Sequence, residues 1–179
     1  MTAGRVIALL GPESTGKTTL SLALAAALRS RGHAVEVVPE VLRDFCERRG
    51  RTPTRDEQGP LADVQTARIE EARSLADRVV ADTTALMVAV YSDLVFGDRS
   101  LVAAALETQR GLDLTLVTAA DIPWVADGLQ REGDHVRAPV TERLLAALDA
   151  GGIAWHPVAG SGPARLASAL AVVDAAGLG

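Results

Sequence analysis

The sequence predicts a three-layer α/β fold built around a mainly parallel five-stranded sheet. Three observations carry that reading: short apolar runs alternate with longer segments of helical period, a glycine-rich turn joins the first run to the first helix, and carboxylates follow the second and third runs. The strand candidates are residues 5–10, 34–38, 78–81, 112–117 and 153–157. Residues 17–31, rich in Ala and Leu, read as a helix closed by Gly32, so the chain opens with a βαβ unit. The polar stretch 42–78 is interrupted at 50–53 and again at Gly59-Pro60, and reads as two or three helices on the edge of the sheet. Residues 140–150, ended by Gly151-Gly152, and 163–176 read as later helices covering the sheet.

Bulk properties narrow the function classes. A chain of 179 residues suffices for one domain, expected to span 1–179, and 48% hydrophobic residues carried by Ala, Leu and Val exclude disorder. Net charge is -5, so the surface repels phosphate backbones; no nucleic acid partner is expected, and a positive site must be local. The single Cys46 excludes an intramolecular disulfide and a paired-cysteine metal site, which fits a reducing compartment. His33, His135 and His156 are too scattered for metal ligation. The apolar runs are too short for a signal segment or a bilayer span, so a cytoplasmic protein without a membrane partner is expected.

The glycine-rich turn, Gly11-Pro-Glu13-Ser14-Thr15-Gly16-Lys17-Thr18, has the full spacing of a P-loop in the required place between a buried strand and a helix. It refines the fold to that of a P-loop NTPase and implies a nucleoside triphosphate and Mg2+ as cofactors. Gly11 and Gly16 permit the tight turn, and backbone N–H groups from Thr15 to Thr18 are expected to face the phosphates, with Glu13, Ser14 and Thr19 completing the cradle. Lys17 supplies a cation for the β and γ phosphates; Thr18 supplies a hydroxyl for magnesium. Asp82, after the third run, is the second candidate metal ligand, or an N-cap for the next helix.

The remaining motifs favour a small kinase over other P-loop proteins. Asp82-Thr-Thr-Ala85 lacks the glycine of a GTPase switch, and Thr118-Ala-Ala-Asp121 lacks the lysine of a guanine reader. A kinase needs an acceptor-facing carboxylate, and Glu40 follows the second run, where it serves as a base or sits in the first turn of the next helix. Arg43, one turn on, shares its face and suits a substrate phosphate or a pairing with Glu40. Residues 124–138 carry Gly128, Gly133, Arg131 and Arg137, features of a lid whose cation meets the γ-phosphate, or of a solvated charged turn.

Several stretches fall in an order that resembles one family: the P-loop, Val38-Pro-Glu40-Val-Leu-Arg43, Asp82-Thr83, Tyr91, Phe96-Gly97 and Pro123-Trp124-Val-Ala-Asp127-Gly128-Leu129. Over about residues 6–173 the chain resembles the ribosylnicotinamide kinase domain of the bacterial NAD-biosynthesis regulators and the related small AAA-type P-loop ATPases. The resemblance implies a nucleoside-kinase-like enzyme that phosphorylates the ribose 5′-hydroxyl of nicotinamide riboside or a similar small-molecule nucleoside. It places Lys17 and Thr18 on ATP and magnesium, Asp82 at the metal, and Glu40 and Arg43 towards the acceptor. Tyr91 or Trp124 would stack on a flat base, Asp127 would contact substrate, and a lid arginine would complete the catalytic set. Two positions depart from the family pattern: Thr84 stands where Asp is expected and Gln130 where Arg is expected, which leaves Arg131 or Arg137 as the lid cation. Members commonly carry a DNA-binding region and an adenylyltransferase domain before the kinase; this chain begins at the kinase's first strand, so no transcriptional role is expected. The competing class is an ATP-binding switch whose hydrolysis controls a protein partner.

Overall fold

Alternation along fully buried strands decides the layering. In β1 (Arg5–Leu10), Ile7 and Leu9 meet one hydrophobic cluster while Val6 and Leu10 meet others, and Val6 to Leu10 are all at 0% exposure. Such a strand needs helices on both faces. The computed structural model describes residues 3–126 and 133–179 and supplies them.

The elements that follow are α1 (Lys17–Ser30), β2 (Val35–Val38), α2 (Val41–Arg49), α3 (Arg55–Leu75), β3 (Arg78–Asp82), α4 (Ala85–Phe96), α5 (Val102–Arg110), β4 (Leu114–Thr118), a 3₁₀ turn (Asp134–Val136), α6 (Arg137–Ala150), β5 (His156–Val158) and α7 (Gly162–Ala175). All five strands are parallel, in the order β2-β3-β1-β4-β5. Leu9 pairs with Asp82 on one side and Leu116 on the other, so the carboxyl ends of β1, β3 and β4 finish level. That shared edge is where open α/β sheets bind ligands. Leu20, Leu24 and Leu28 of α1 and Ala169 and Val173 of α7 cover one face. Helices α4 and α6 cover Leu10 and Val117 on the other, and Ile69 and Ala72 of α3 cover Val6, Val79 and Ala81.

The predicted α/β fold and parallel sheet are observed, with local corrections. β4 starts at Leu114 instead of 112, because the Asp113 carboxylate takes the Val6 N–H (2.8 Å) and the Arg5 guanidinium (2.5 Å). β5 is confined to His156–Val158, because Ile153 and Trp155 pack with the α6 cluster and Trp155 Nε1 donates to Asp149 (3.1 Å). α6 begins at Arg137, ahead of the predicted 140. The helix expected after Asp82 is α4, for which the sequence sets no bounds, and α5 has no counterpart in the sequence reading. In α4 every residue from Ala85 to Val90 is buried, so no polar stripe marks a helical period.

The predicted break at Gly59-Pro60 is absent, and α3 lies over the sheet instead of along its edge. A proline in the second turn forfeits one backbone hydrogen bond, which the rest of the helix offsets. Gln58, Leu61, Ala62, Gln65, Ile69 and Ala72 form a continuous buried stripe. The first turn is held by the Glu57 carboxylate, which accepts the Thr54 N–H (2.8 Å) and both ends of the Arg51 guanidinium (2.7 and 2.8 Å).

Those bonds, Arg51 first and the Thr54 backbone second, hold Glu57 down to about 2. A depressed carboxyl stabilises the fold above its unfolded titration and loses that contribution as pH falls through the folded value. A carboxyl NMR titration is expected to place Glu57 near 2 and, in Arg51→Ala, to move it up towards the ordinary value of 4.5.

Candidate nucleotide site

The P-loop leaves β1 through a passage that admits no side chain. Gly11 has φ 140, and a Cβ there would lie 2.3 Å from Thr118 Oγ1 and 3.0 Å from Thr118 O. Below it, Thr15 is fully buried: its Oγ1 donates to Pro12 O (2.9 Å) and shares a hydrogen bond with Thr118 Oγ1 (2.7 Å). Gly16, at φ 75, turns the chain into α1 and caps it without a side-chain bond, which leaves the first N–H groups of the helix for an anion. Lys17 Nζ donates to the carbonyls of Gly11 (3.0 Å) and Pro12 (2.8 Å), folded along the loop.

A buried cation from the far end of the chain supports this loop from outside. Arg165, on α7 and 4% exposed, donates to the Thr15 carbonyl, to Gly160 O (2.6 Å) and to Ala119 O (3.2 Å), and pairs with Asp121. Asp121 also accepts the Gly160 N–H (2.6 Å). Burial pulls the Arg165 pKa below its ordinary value, with Asp121 opposing the shift. Asp121, rejected above as a guanine reader, thus braces the loop through Arg165.

Thr18 and Asp82 meet directly: Thr18 Oγ1 donates to Asp82 Oδ2 at 2.5 Å. Asp82 is 2% exposed, and its Oδ1 is buried with no partner. An orphaned carboxylate oxygen beside a hydroxyl is a hard-oxygen donor set, which fits Mg2+, an ion that completes its shell with water and phosphate oxygens. Among the described residues, no cluster of three His, Cys, Asp or Glu offers an alternative metal site. The N-cap of α4 is Thr84, whose Oγ1 accepts the Leu86 N–H (3.3 Å) and donates to Gln109 (2.7 Å). Gln109 in turn donates to Thr115 (2.9 Å), so the departure at Thr84 joins α4, α5 and β4. Between Asp82 and Thr84, Thr83 is held at φ 76, a strained conformation for a β-branched residue.

A cavity of about 600 Å³ runs from Gly11 and Glu13 to Thr19 of the loop, past Glu40, Arg43 and Thr83, to an apolar end at Met87, Tyr91 and Phe96. Glu40 is the N-cap of α2, and its carboxylate lies 4.0 Å from Arg43 Nε. Tyr91 lines the cavity; Trp124 does not. Trp124 Nε1 donates to Glu13 Oε1 (2.9 Å), which also accepts the Gly133 N–H (2.9 Å). Ser14 Oγ donates to Val125 O (3.1 Å) and accepts its N–H (2.9 Å). Glu13 and Ser14 therefore hold the chain on both sides of 127–132. Arg137 is buried at the start of α6, donates to Ile122 O (2.9 Å) and Asp134 (3.1 Å), and stands outside the cavity wall. Asp127, Gln130 and Arg131 lie outside the described residues.

The cradle, the hydroxyl–carboxylate pair and the cavity at one sheet edge define a kinase-like P-loop nucleotide-binding domain. A family model described as an AAA domain matches residues 6–165, and the chain belongs to that family. Its fold matches the crystal structure of NadR protein in complex with NAD and AMP-PNP, at 23% identity and a TM-score of 0.76, over 98% of this chain and 50% of that one. The structure of NadR protein in complex with NR matches similarly, at 21% identity and a TM-score of 0.75, over 96% of this chain and 50% of that one. The chain thus spans about half the length of these structures. No curated protein matches the sequence significantly. Among the described residues, no helix is long and apolar enough to cross a membrane.

Arg165 is the support that local sequence could not reveal, and its fork geometry is testable. Arg165→Lys keeps a charge but cannot reach the Thr15, Gly160 and Ala119 carbonyls together, so urea denaturation is expected to show a loss of about 2 kcal/mol.

Proposed function

We propose that this chain is a kinase that transfers the γ-phosphoryl group of ATP to the ribose 5′-hydroxyl of nicotinamide riboside or a closely similar nucleoside. The observation that carries the reading is one cavity that holds the phosphate loop, the Glu40 carboxylate and an apolar, aromatic-lined end. A pure ATPase switch has no use for that acceptor half. The NadR structures, whose ligands include NR, NAD and AMP-PNP, support the choice of acceptor.

In this reading the acceptor oxygen attacks the γ-phosphorus in line, the bond to the β–γ bridging oxygen breaks, and ADP leaves. Glu40 accepts the hydroxyl proton or fixes the hydroxyl in line by hydrogen bonding. Lys17 moves from the Gly11 and Pro12 carbonyls onto the β and γ phosphates. Thr18 and Asp82 would hold magnesium, which supplies charge neutralisation on the phosphates. Arg43 neutralises charge near the acceptor, and Tyr91 stacks on its base. Trp124 and Arg137 act by bracing the P-loop and Ile122, while Arg131 and Asp127 keep the lid cation and substrate roles assigned by resemblance.

ATP consumption measured with and without a nucleoside panel tests the reading. Phosphorylated nicotinamide riboside is the expected product; slow hydrolysis with no acceptor phosphorylated would overturn it. Glu40→Gln is expected to lower kcat by about 10²–10⁴ while leaving the affinity for a non-hydrolysable ATP analogue within a few-fold. In Lys17→Ala, that affinity and the transfer should fall together, as seen by calorimetry and product assay.

A further inference from the structure

Two buried polar atoms in the cavity wall have no hydrogen-bond partner: Gln58 Oε1 and Thr83 Oγ1. Gln58 is 5% exposed, on the buried stripe of α3, and Thr83 is 2% exposed, at the end of β3. A buried polar atom left unsatisfied destabilises the fold, so two such orphans on residues that line one cavity point to a ligand that satisfies them. Thr83 adjoins Asp82 and stands at the phosphate end. Gln58 follows Thr52 and Pro53, which line the same wall on the α2–α3 link.

Gln58 offers an entire amide, because no hydrogen bond to its side chain forms within the described residues. Whichever way round it sits, it presents donors on one side and an acceptor on the other. The group that matches both is another primary amide, which pairs with it reciprocally. A carboxylate can use only the donor half, and a bare ring can use neither. Met87, Tyr91 and Phe96 bound the same cavity with apolar, partly aromatic surface suited to the flat ring that would carry such an amide.

Resting on the kinase reading above, we infer that Gln58 is the specificity-determining residue that pairs with a ring carboxamide on the acceptor, while Thr83 meets a sugar hydroxyl nearer the phosphates. The test compares nicotinamide riboside with nicotinic acid riboside, which differ only in amide against carboxylate. The protein is expected to favour the amide by about tenfold or more in kcat/KM. Gln58→Met keeps length and helix propensity but removes both polar atoms, and is expected to bring that preference to within about threefold, chiefly through KM. Gln58→Glu removes the donors and adds charge, so the acid substrate should lose more than the amide and the preference should widen. Melting temperature and ATP-analogue affinity report folding. If both variants fold and leave the preference unchanged, the Gln58 assignment falls while the kinase reading stands. If the protein itself phosphorylates neither riboside, the acceptor reading falls and takes the Gln58 assignment with it.

Discussion

The site depends on the contact between Gly11 and Thr118. At this contact β1 and β4 end side by side, and the loop escapes between them only because position 11 carries no Cβ. Thr118 Oγ1 then sits 3.1 Å from Leu10 O and 2.7 Å from Thr15 Oγ1, and with the Thr15 proton given to Pro12 O its own proton bonds Thr15, which pins the loop to the neighbouring strand. With the curve of the loop set from below and Arg165 gripping it from outside, the N–H groups at the start of α1 face the cavity without any movement of the sheet. Preorganisation of this kind concentrates positive potential locally in a chain whose net charge is -5.

The sheet brings the rest of the chemistry to that point. Because Leu9 is in register with Asp82, the carboxylate at the end of β3 stands beside the first turn of α1 and meets Thr18. β2 lies beyond β3, so Glu40 approaches from the far side, and the cavity lies between its carboxylate and the phosphate loop. Strand order therefore sets Glu40 apart from the phosphate loop, and Thr83 lines the same cavity.

What was legible in the sequence follows from the range of the forces involved. Gly11, Lys17, Thr18, Glu40 and Asp82 are local signals: a motif, or a polar residue just after an apolar run. The extent of α4 was illegible because burial all round erases the amphipathic period, and the Pro60 break was wrongly expected because the Arg51–Glu57–Thr54 bonds act across a turn and the stripe from Gln58 to Ala72 acts through tertiary packing. Arg165 is separated from Thr15 by 150 residues, and no local pattern encodes such a contact. Gln58 read as part of a polar stretch; only the fold gives it a cavity to face.

Glu13 and Ser14 occupy positions where the phosphate motif accepts nearly any residue, yet here they grip Trp124, Val125 and Gly133. The filling of the motif is therefore an address as well as a spacer. A P-loop transplanted from another protein with every signature residue intact would still cradle phosphate in this chain, but it would arrive without the contacts that tell residues 124–126 and 133 where to sit. Positions 13, 14 and 124 should accordingly be inherited as a set.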